Sequence, residues 1–348
     1  MRARTIAIIL AITIPTWFSL DAGAQGRQGG RQGQGRGAAT TATPSPYPVV
    51  SGKAYNFAKI ADGVYYATAT GAMVTGSNNP IIVNDRDVMV VDTGTTPAAA
   101  RALVEDLKLI TDKPVRYVVN THFHYDHTDG NQVFAGSADI IAHDYVRQAI
   151  LNLNVLQREP FKTSQLTNVP NRIDTLKKQI ADEKDVARRT TLERQLAVAQ
   201  AGWEQLKEIK PTAPNVTYST KMVLNRGQRE IQILFLGRGH TPGDTVVFLP
   251  KERIVCTGDL MESQLAYMGD ALFDEWIATL DALKKLDFLK DLMDQVATLR
   301  KQGIPAEVAA QRVDLTSHRA DFPAIQGPGA DLRGVRRMYE WMDEREKR

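Results

Sequence analysis

Thr121-His122-Phe123-His124-Tyr125-Asp126-His127 sets three imidazoles and a carboxylate within six positions of a chain that has six histidines in all. Imidazole nitrogen and carboxylate oxygen are the donors preferred by zinc, iron and manganese. In an extended segment alternate side chains point the same way. The spacing therefore predicts that His122 and His124 pinch one ion while Asp126 and His127 turn toward a neighbouring one. A polar surface loop is the bland alternative. Against it stands the apolar stretch Val115–Val119 directly before the motif, which reads as a buried strand.

Upstream of the motif the chain is β-rich, with short strands expected at 63–67, 79–84 and 88–91, parted by Gly, Asn and Asp turns. Asp92-Thr93-Gly94 closes the third. Thr96 caps a helix with Pro97 at its first position, and positions 99, 103, 107 and 110 make its apolar face. Downstream, 140–142 reads as a strand followed by His143. Residues 145–210 are charged and helical in period. Ile173, Leu176 and Ile180 form one stripe; Leu192, Leu196, Ala199, Trp203 and Leu206 form another. The pair Thr190 and Glu193 suggests a capping box that starts the second helix. This block is expected to be a helical insertion: a lid, a homo-oligomer interface or a plain structural brace. Strands return at 221–224, 230–236, 245–249 and 253–256, and the chain is then helical to its end.

Two later turns add ligand candidates. His240 lies in Gly239-His240-Thr241-Pro242-Gly243-Asp244, and Asp259 follows the strand Ile254-Val255-Cys256. Each sits just past a strand end, where loops gather side chains on a rigid sheet. Cys256 is the single cysteine, which excludes an internal disulfide; it reads as a buried core residue.

The N-terminus has the pattern of a cleavable leader over residues 1–24. Arg2 and Arg4 precede an apolar run from Ile6 to Leu20, and Ala22-Gly23-Ala24 supplies the small-residue cleavage site. The run is too short and broken for a stable membrane span. A periplasmic or secreted protein is expected, with a retained anchor as the alternative. Residues 25–48, rich in Gly, Gln and Arg, lack the apolar side chains needed to offset chain entropy and read as a disordered linker. The formal net charge is +3, and nothing in so even a balance points to nucleic acid.

From about residue 55 to 288 the chain resembles the metallo-β-lactamase-fold hydrolases. The resemblance is carried in order by Val91-Asp92-Thr93-Gly94, the histidine motif, Gly239-His240-Thr241 and Gly258-Asp259. It implies an α/β fold, an αββα sandwich over residues 49–288 with the helical insertion at about 145–210, then a helical C-terminal extension over 289–348. It further implies that His122, His124 and His240 bind a first metal, that Asp126 and His127 serve a second, and that Asp259 bridges both. Asp92 takes the place of a structural carboxylate beneath the site. Aspartate at 259 is closer to the glyoxalase II-like branch. The C-terminal part is similar to periplasmic metallohydrolases found near quinoprotein systems.

One departure stands out. The family has a further strand and a Pro-Gly-His-Gly turn whose histidine completes the second metal. Here the residues after Asp259 run instead into what reads as one long helix from about Asp274 to Lys301. His318 lacks that turn context and is not expected to be a ligand; nor is His143. What remains is a three-histidine site with an open position, as in catalytic zinc, beside a second site short of one protein donor. The expected chemistry is a metal-bound hydroxide, with water acidified to a pKa of about 7, attacking an activated acyl group of a small molecule (β-lactam, lactone or thioester). Asp126 is the expected catalytic proton acceptor. Zinc is the first choice of cofactor, one ion firmly bound and a second weaker or absent, with iron possible. An iron-dependent persulfide dioxygenase and a catalytically impaired metal-binding protein are the alternatives.

Overall fold

The computed structural model describes residues 7–9, 47–252, 254–262, 266–282, 287–319, 325 and 327–346. The rest of the expected leader, and the linker as far as residue 46, lie outside them.

Two sheets form the centre. The larger takes eight strands in chain order, from Val49–Ser51 to Val216–Tyr218. Neighbours are antiparallel as far as Val88–Val91. From there Val115–Val119, Asp139–His143 and Val216–Tyr218 add in parallel. The change has a local cause. Antiparallel neighbours need only short turns, whereas parallel ones need a crossover, and Thr96-Pro97 starts one. The Thr96 hydroxyl accepts the Ala99 N–H at 3.1 Å, and the helix Pro97–Leu107 carries the chain back across the sheet. The smaller sheet has five strands in the order Ala7–Ile9, Ile254–Cys256, Val246–Leu249, Arg229–Leu234 and Lys221–Arg226. It is antiparallel throughout except that Ala7–Ile9 runs parallel to Ile254–Cys256.

The two sheets pack face to face. Val64, Ile82, Met89, Val91 and Val119 of one meet Ile231, Ile233, Val247, Leu249 and Cys256 of the other. In Arg229–Leu234 alternate residues turn inward, so only Ile231 and Ile233 are fully buried. Helices cover both outer faces. Leu103 and Leu107 lie on Tyr55, Phe57, Val88 and Val90. On the far side Phe273, Trp276, Leu292, Val335 and Met338 pack over Val246 and Val255. The result is the four-layer αββα arrangement expected from the sequence.

The insertion is a helical hairpin, Asn168–Asp182 against Val186–Leu206, closed by Ile173, Leu176 and Ala199 with Leu192, Leu196 and Trp203. Its second helix starts earlier than the Thr190/Glu193 pair predicts. Asp185 is the cap, its carboxylate accepting the Arg188 N–H at 2.8 Å, and Thr190 lies inside the helix with its hydroxyl donating to the Val186 carbonyl. A capping-box spacing inside a helix is mute once an acidic cap stands upstream of it. Where one helix is read from 274 to 301, Phe273–Ala282 and Asp287–Lys301 are the described helices, and residues 283–286 lie outside the description. No helix of the described residues is long and apolar enough to cross a membrane.

Candidate metal centre

Parallel strands deliver their following residues side by side. Val91 and Val119 are register partners, so Asp92 and the start of the histidine motif emerge together, and Asp92 donates its N–H to the Val119 carbonyl at 2.8 Å. Asp92 then takes a left-handed backbone, φ 61°, which turns its carboxylate back under the motif. One oxygen accepts the Thr121 N–H at 2.8 Å; the other accepts the Thr121 hydroxyl and the His127 Nδ1–H, each at 2.8 Å. Positive φ at a non-glycine residue is uncommon and is stored where the surroundings over-determine it. The structural role expected of Asp92 is thus met by three hydrogen bonds.

His240 and Asp259 come from the smaller sheet. The helix Phe273–Ala282 holds both of their loops. The Thr279 hydroxyl donates to the Arg238 carbonyl at 2.8 Å on one side of His240, and Leu272 donates its N–H to the Gly239 carbonyl at 2.9 Å. The Trp276 indole N–H donates to the Leu260 carbonyl at 3.1 Å, just past Asp259.

Three imidazole nitrogens converge. His124 Nδ1 lies 3.0 Å from His122 Nε2 and 3.0 Å from His240 Nε2. The Asp259 Oδ2 stands 3.7 Å from His122 Nε2 and 3.6 Å from His240 Nε2. One donor atom from each of these four buried residues fits within 4.8 Å of every other. The other oxygen of Asp259 points the opposite way, 3.3 Å from His127 Nε2, while the Asp126 Oδ2 lies 3.6 Å from that nitrogen. The six predicted ligands are therefore brought together as two groups that share Asp259.

Hydrogen bonding fixes which nitrogens are free. Asp270 accepts from His124 Nε2 at 3.0 Å; an ionised carboxylate only accepts, so Nε2 carries the proton and Nδ1 presents its lone pair. The bond from His127 Nδ1 to Asp92 likewise turns the Nε2 lone pair toward Asp126 and Asp259. Ligating histidines are held in this way by a carboxylate on their second nitrogen.

The electrostatics divide along the same line. Burial, then the neighbouring imidazoles His127, His124 and His240, holds His122 far below the usual histidine range. Burial pushes His240 down to about 3 against the pull of Asp259. These rings stay neutral, as metal ligands must. Burial also opposes a charge on His127, but Asp259, Asp92 and Asp126 outweigh it and lift that ring well above its ordinary value. Burial raises Asp126, with Asp259 adding to it and His127 opposing. Three carboxylates around one buried ring make a field that demands a positive charge. Among the described residues His127 Nε2 and Asp259 Oδ1 are buried with only each other at 3.3 Å and no well-aligned hydrogen bond, which is costly unless something coordinates them. Neutral imidazoles, carboxylates and uncompensated lone pairs aimed inward fit a divalent cation.

The remaining histidines stand apart, as read from the sequence. His318 lies 3.0 Å from Asp291 and links two C-terminal elements; His143 stacks on Phe235 at 4.1 Å. Asp270 was not legible. Its partner His124 is 146 positions away, and an acidic residue after Tyr267-Met268-Gly269 carries no local sign of that contact.

The family model described as the metallo-beta-lactamase superfamily matches residues 73–154. The linear primary-alkylsulfatase of Pseudomonas sp. (strain ATCC 19151) is 22% identical over 219 residues, 59% of this chain and 38% of that protein. A type 2 metallo-beta-lactamase of Elizabethkingia meningoseptica is 28% identical over 83 residues, 23% of this chain and 33% of that protein. The chain thus spans 33–38% of the length of these curated relatives. Among solved structures, a metallo-beta-lactamase from Pontibacter korlensis superposes with a TM-score of 0.45 at 18% identity, covering 66% of this chain and 85% of that one.

Proposed function

We propose that this chain, in which residues 73–154 are a metallo-β-lactamase superfamily segment, is a metal-dependent hydrolase of an activated acyl bond in a small molecule. β-Lactams, lactones and thioesters are the substrate classes. The observation that supports this reading is the buried convergence of His122, His124 and His240 nitrogens beside the Asp259 carboxylate. Zinc suits a set of three imidazoles with one carboxylate edge. A bound ion supplies Lewis acidity, lowering the pKa of water to about 7 and polarising a carbonyl.

The chain's own residues do the rest. His122, His124 and His240, with one oxygen of Asp259 beside them, would hold the first ion; Asp126, His127 and the other oxygen of Asp259 would be the three donors available to a second, which with one protein ligand fewer would be held more weakly. Asp126, its pKa raised chiefly by burial, is placed to take a proton from the attacking water and hand it to the leaving group. The leader pattern supports action in the periplasm or outside the cell.

The test is elemental analysis of protein purified without added metal, followed by turnover of a chromogenic β-lactam, a lactone, a thioester and a linear alkyl sulfate. About one tightly held zinc and hydrolysis of one acyl substrate are expected. His122→Ala or His240→Ala should lower both metal content and rate by at least roughly 100-fold, while His318→Ala leaves both unchanged. Full metal retention in His240→Ala would overturn the assignment. Iron with oxygen uptake on a persulfide would move the chemistry to dioxygenation.

A further inference from the structure

Arg158 belongs to the insertion, immediately after the short turn Val155–Gln157 and ahead of the hairpin. Its Nη2 donates to Asp270 Oδ1 at 2.6 Å, across 112 positions of chain. The other oxygen of the same carboxylate accepts from His124 Nε2 at 3.0 Å. The guanidinium carbon also lies 5.2 Å from the centre of the Phe123 ring. Phe123 separates the two ligands His122 and His124 in sequence and is buried on Ala142, Val146 and Ala149. One side chain thus touches the ligand segment by two routes: through Asp270 to an imidazole, and directly over the residue between two imidazoles.

The energetics favour this arrangement only as a set. Asp270 has 12% of its side chain exposed, and a carboxylate so enclosed needs charged or strongly donating partners. The described partners are Arg158 and His124. Without Arg158 the carboxylate is drawn toward water, and the hydrogen bond that holds the protonated nitrogen of His124 loses its anchor. A planar guanidinium can donate to a carboxylate while lying over an aromatic ring, which an ammonium does less well.

We propose that Arg158 is a positioning residue for the metal centre: by holding Asp270 it keeps His124 Nδ1 turned toward His122 and His240. The seating of the insertion against the domain then sets the affinity for the ion. The proposal rests on the metal-site reading above.

Zinc affinity measured by competition with a chromophoric chelator tests it without reference to turnover. Arg158→Gln and Asp270→Ala should each weaken zinc binding about 10- to 100-fold, the effect typical of losing an outer partner of a ligating histidine. The double variant should be no weaker than the worse single, because both changes break one chain of contacts. Circular dichroism and limited proteolysis of the hairpin confirm the fold; if Arg158→Gln does not fold, Arg158→Met, which keeps the apolar stem, replaces it. Wild-type affinity in the Arg158 variant beside a weakened Asp270→Ala would overturn the proposal and leave Arg158 as an anchor of the insertion alone. Wild-type affinity in both would remove the relay altogether. His122→Ala, run in parallel, separates the two readings: undiminished zinc binding there would sink the metal site itself.

Discussion

Asp259 shows how much a single side chain carries here. Its two oxygens face different imidazole groups, at 3.6–3.7 Å on one side and 3.3 Å on the other. Cys256, three residues earlier, has a purely structural part. Burial first, and the charge of Asp92 second, push its thiol above the ordinary cysteine range. Since the thiolate is the reactive form, Cys256 should resist a thiol reagent such as Ellman's at pH 8 in the native protein and react fully in guanidinium. Prompt native labelling would show that the sandwich core opens readily. The six candidate ligands were legible because five of them lie in two short motifs, at 122–127 and 239–244, and the sixth follows a recognisable strand. Asp270 and Arg158 were not, because neither belongs to a ligand motif: Arg158 is one of many charges in the helical insertion, and Asp270 follows an unpatterned loop. Their meaning exists only where a loop, an insertion and His124 meet in space.

Between residue and domain, the turns matter more than the strands they join. Gly258 has φ 52°, and a Cβ there would stand 2.5 Å from the Cβ of Thr121. Thr121 cannot retreat, since Asp92 holds both its N–H and its hydroxyl. Gly258→Ala therefore incurs about 1–2 kcal/mol for a left-handed backbone and about 1–3 kcal/mol for crowding. A lowered urea midpoint with partial metal loss is expected; an unchanged midpoint would mean the Asp259 turn has slack the structure does not display. The expected strands fell within two residues of those observed, because apolar runs such as Val88–Val91 and Ile254–Cys256, buried throughout, are bounded by turn residues; Tyr55–Ala61 and Val216–Tyr218 were not read separately. The start of the helix Val186–Leu206 was misread, since two capping signals stood five positions apart and only the first one in the chain acts.

At the scale of the molecule, the C-terminal helices are part of the sandwich and not an appendage. Val335 and Met338 of Leu332–Glu346 are fully buried in the same cluster as Val246, Leu260 and Trp276. Met338→Ala should cost roughly 2–5 kcal/mol and move the whole urea transition in one step. A separate early transition would instead mark the extension as an independent unit. The four-layer architecture was legible because strand and helix patterns alternate along the chain in the order the resemblance requires. Who neighbours Ile254–Cys256 was not, since strand order is a property of the assembled sheet. That neighbour is Ala7–Ile9, which falls inside the segment read as a cleavable leader. Export would then trim away the outermost rung of the smaller sheet. The trimmed form would display a bare row of peptide donors and acceptors one turn from the candidate ligand Asp259, a template on which stray chains can add. Precursor and processed protein would differ in their tendency to self-associate, though not in a single side chain of the candidate metal centre.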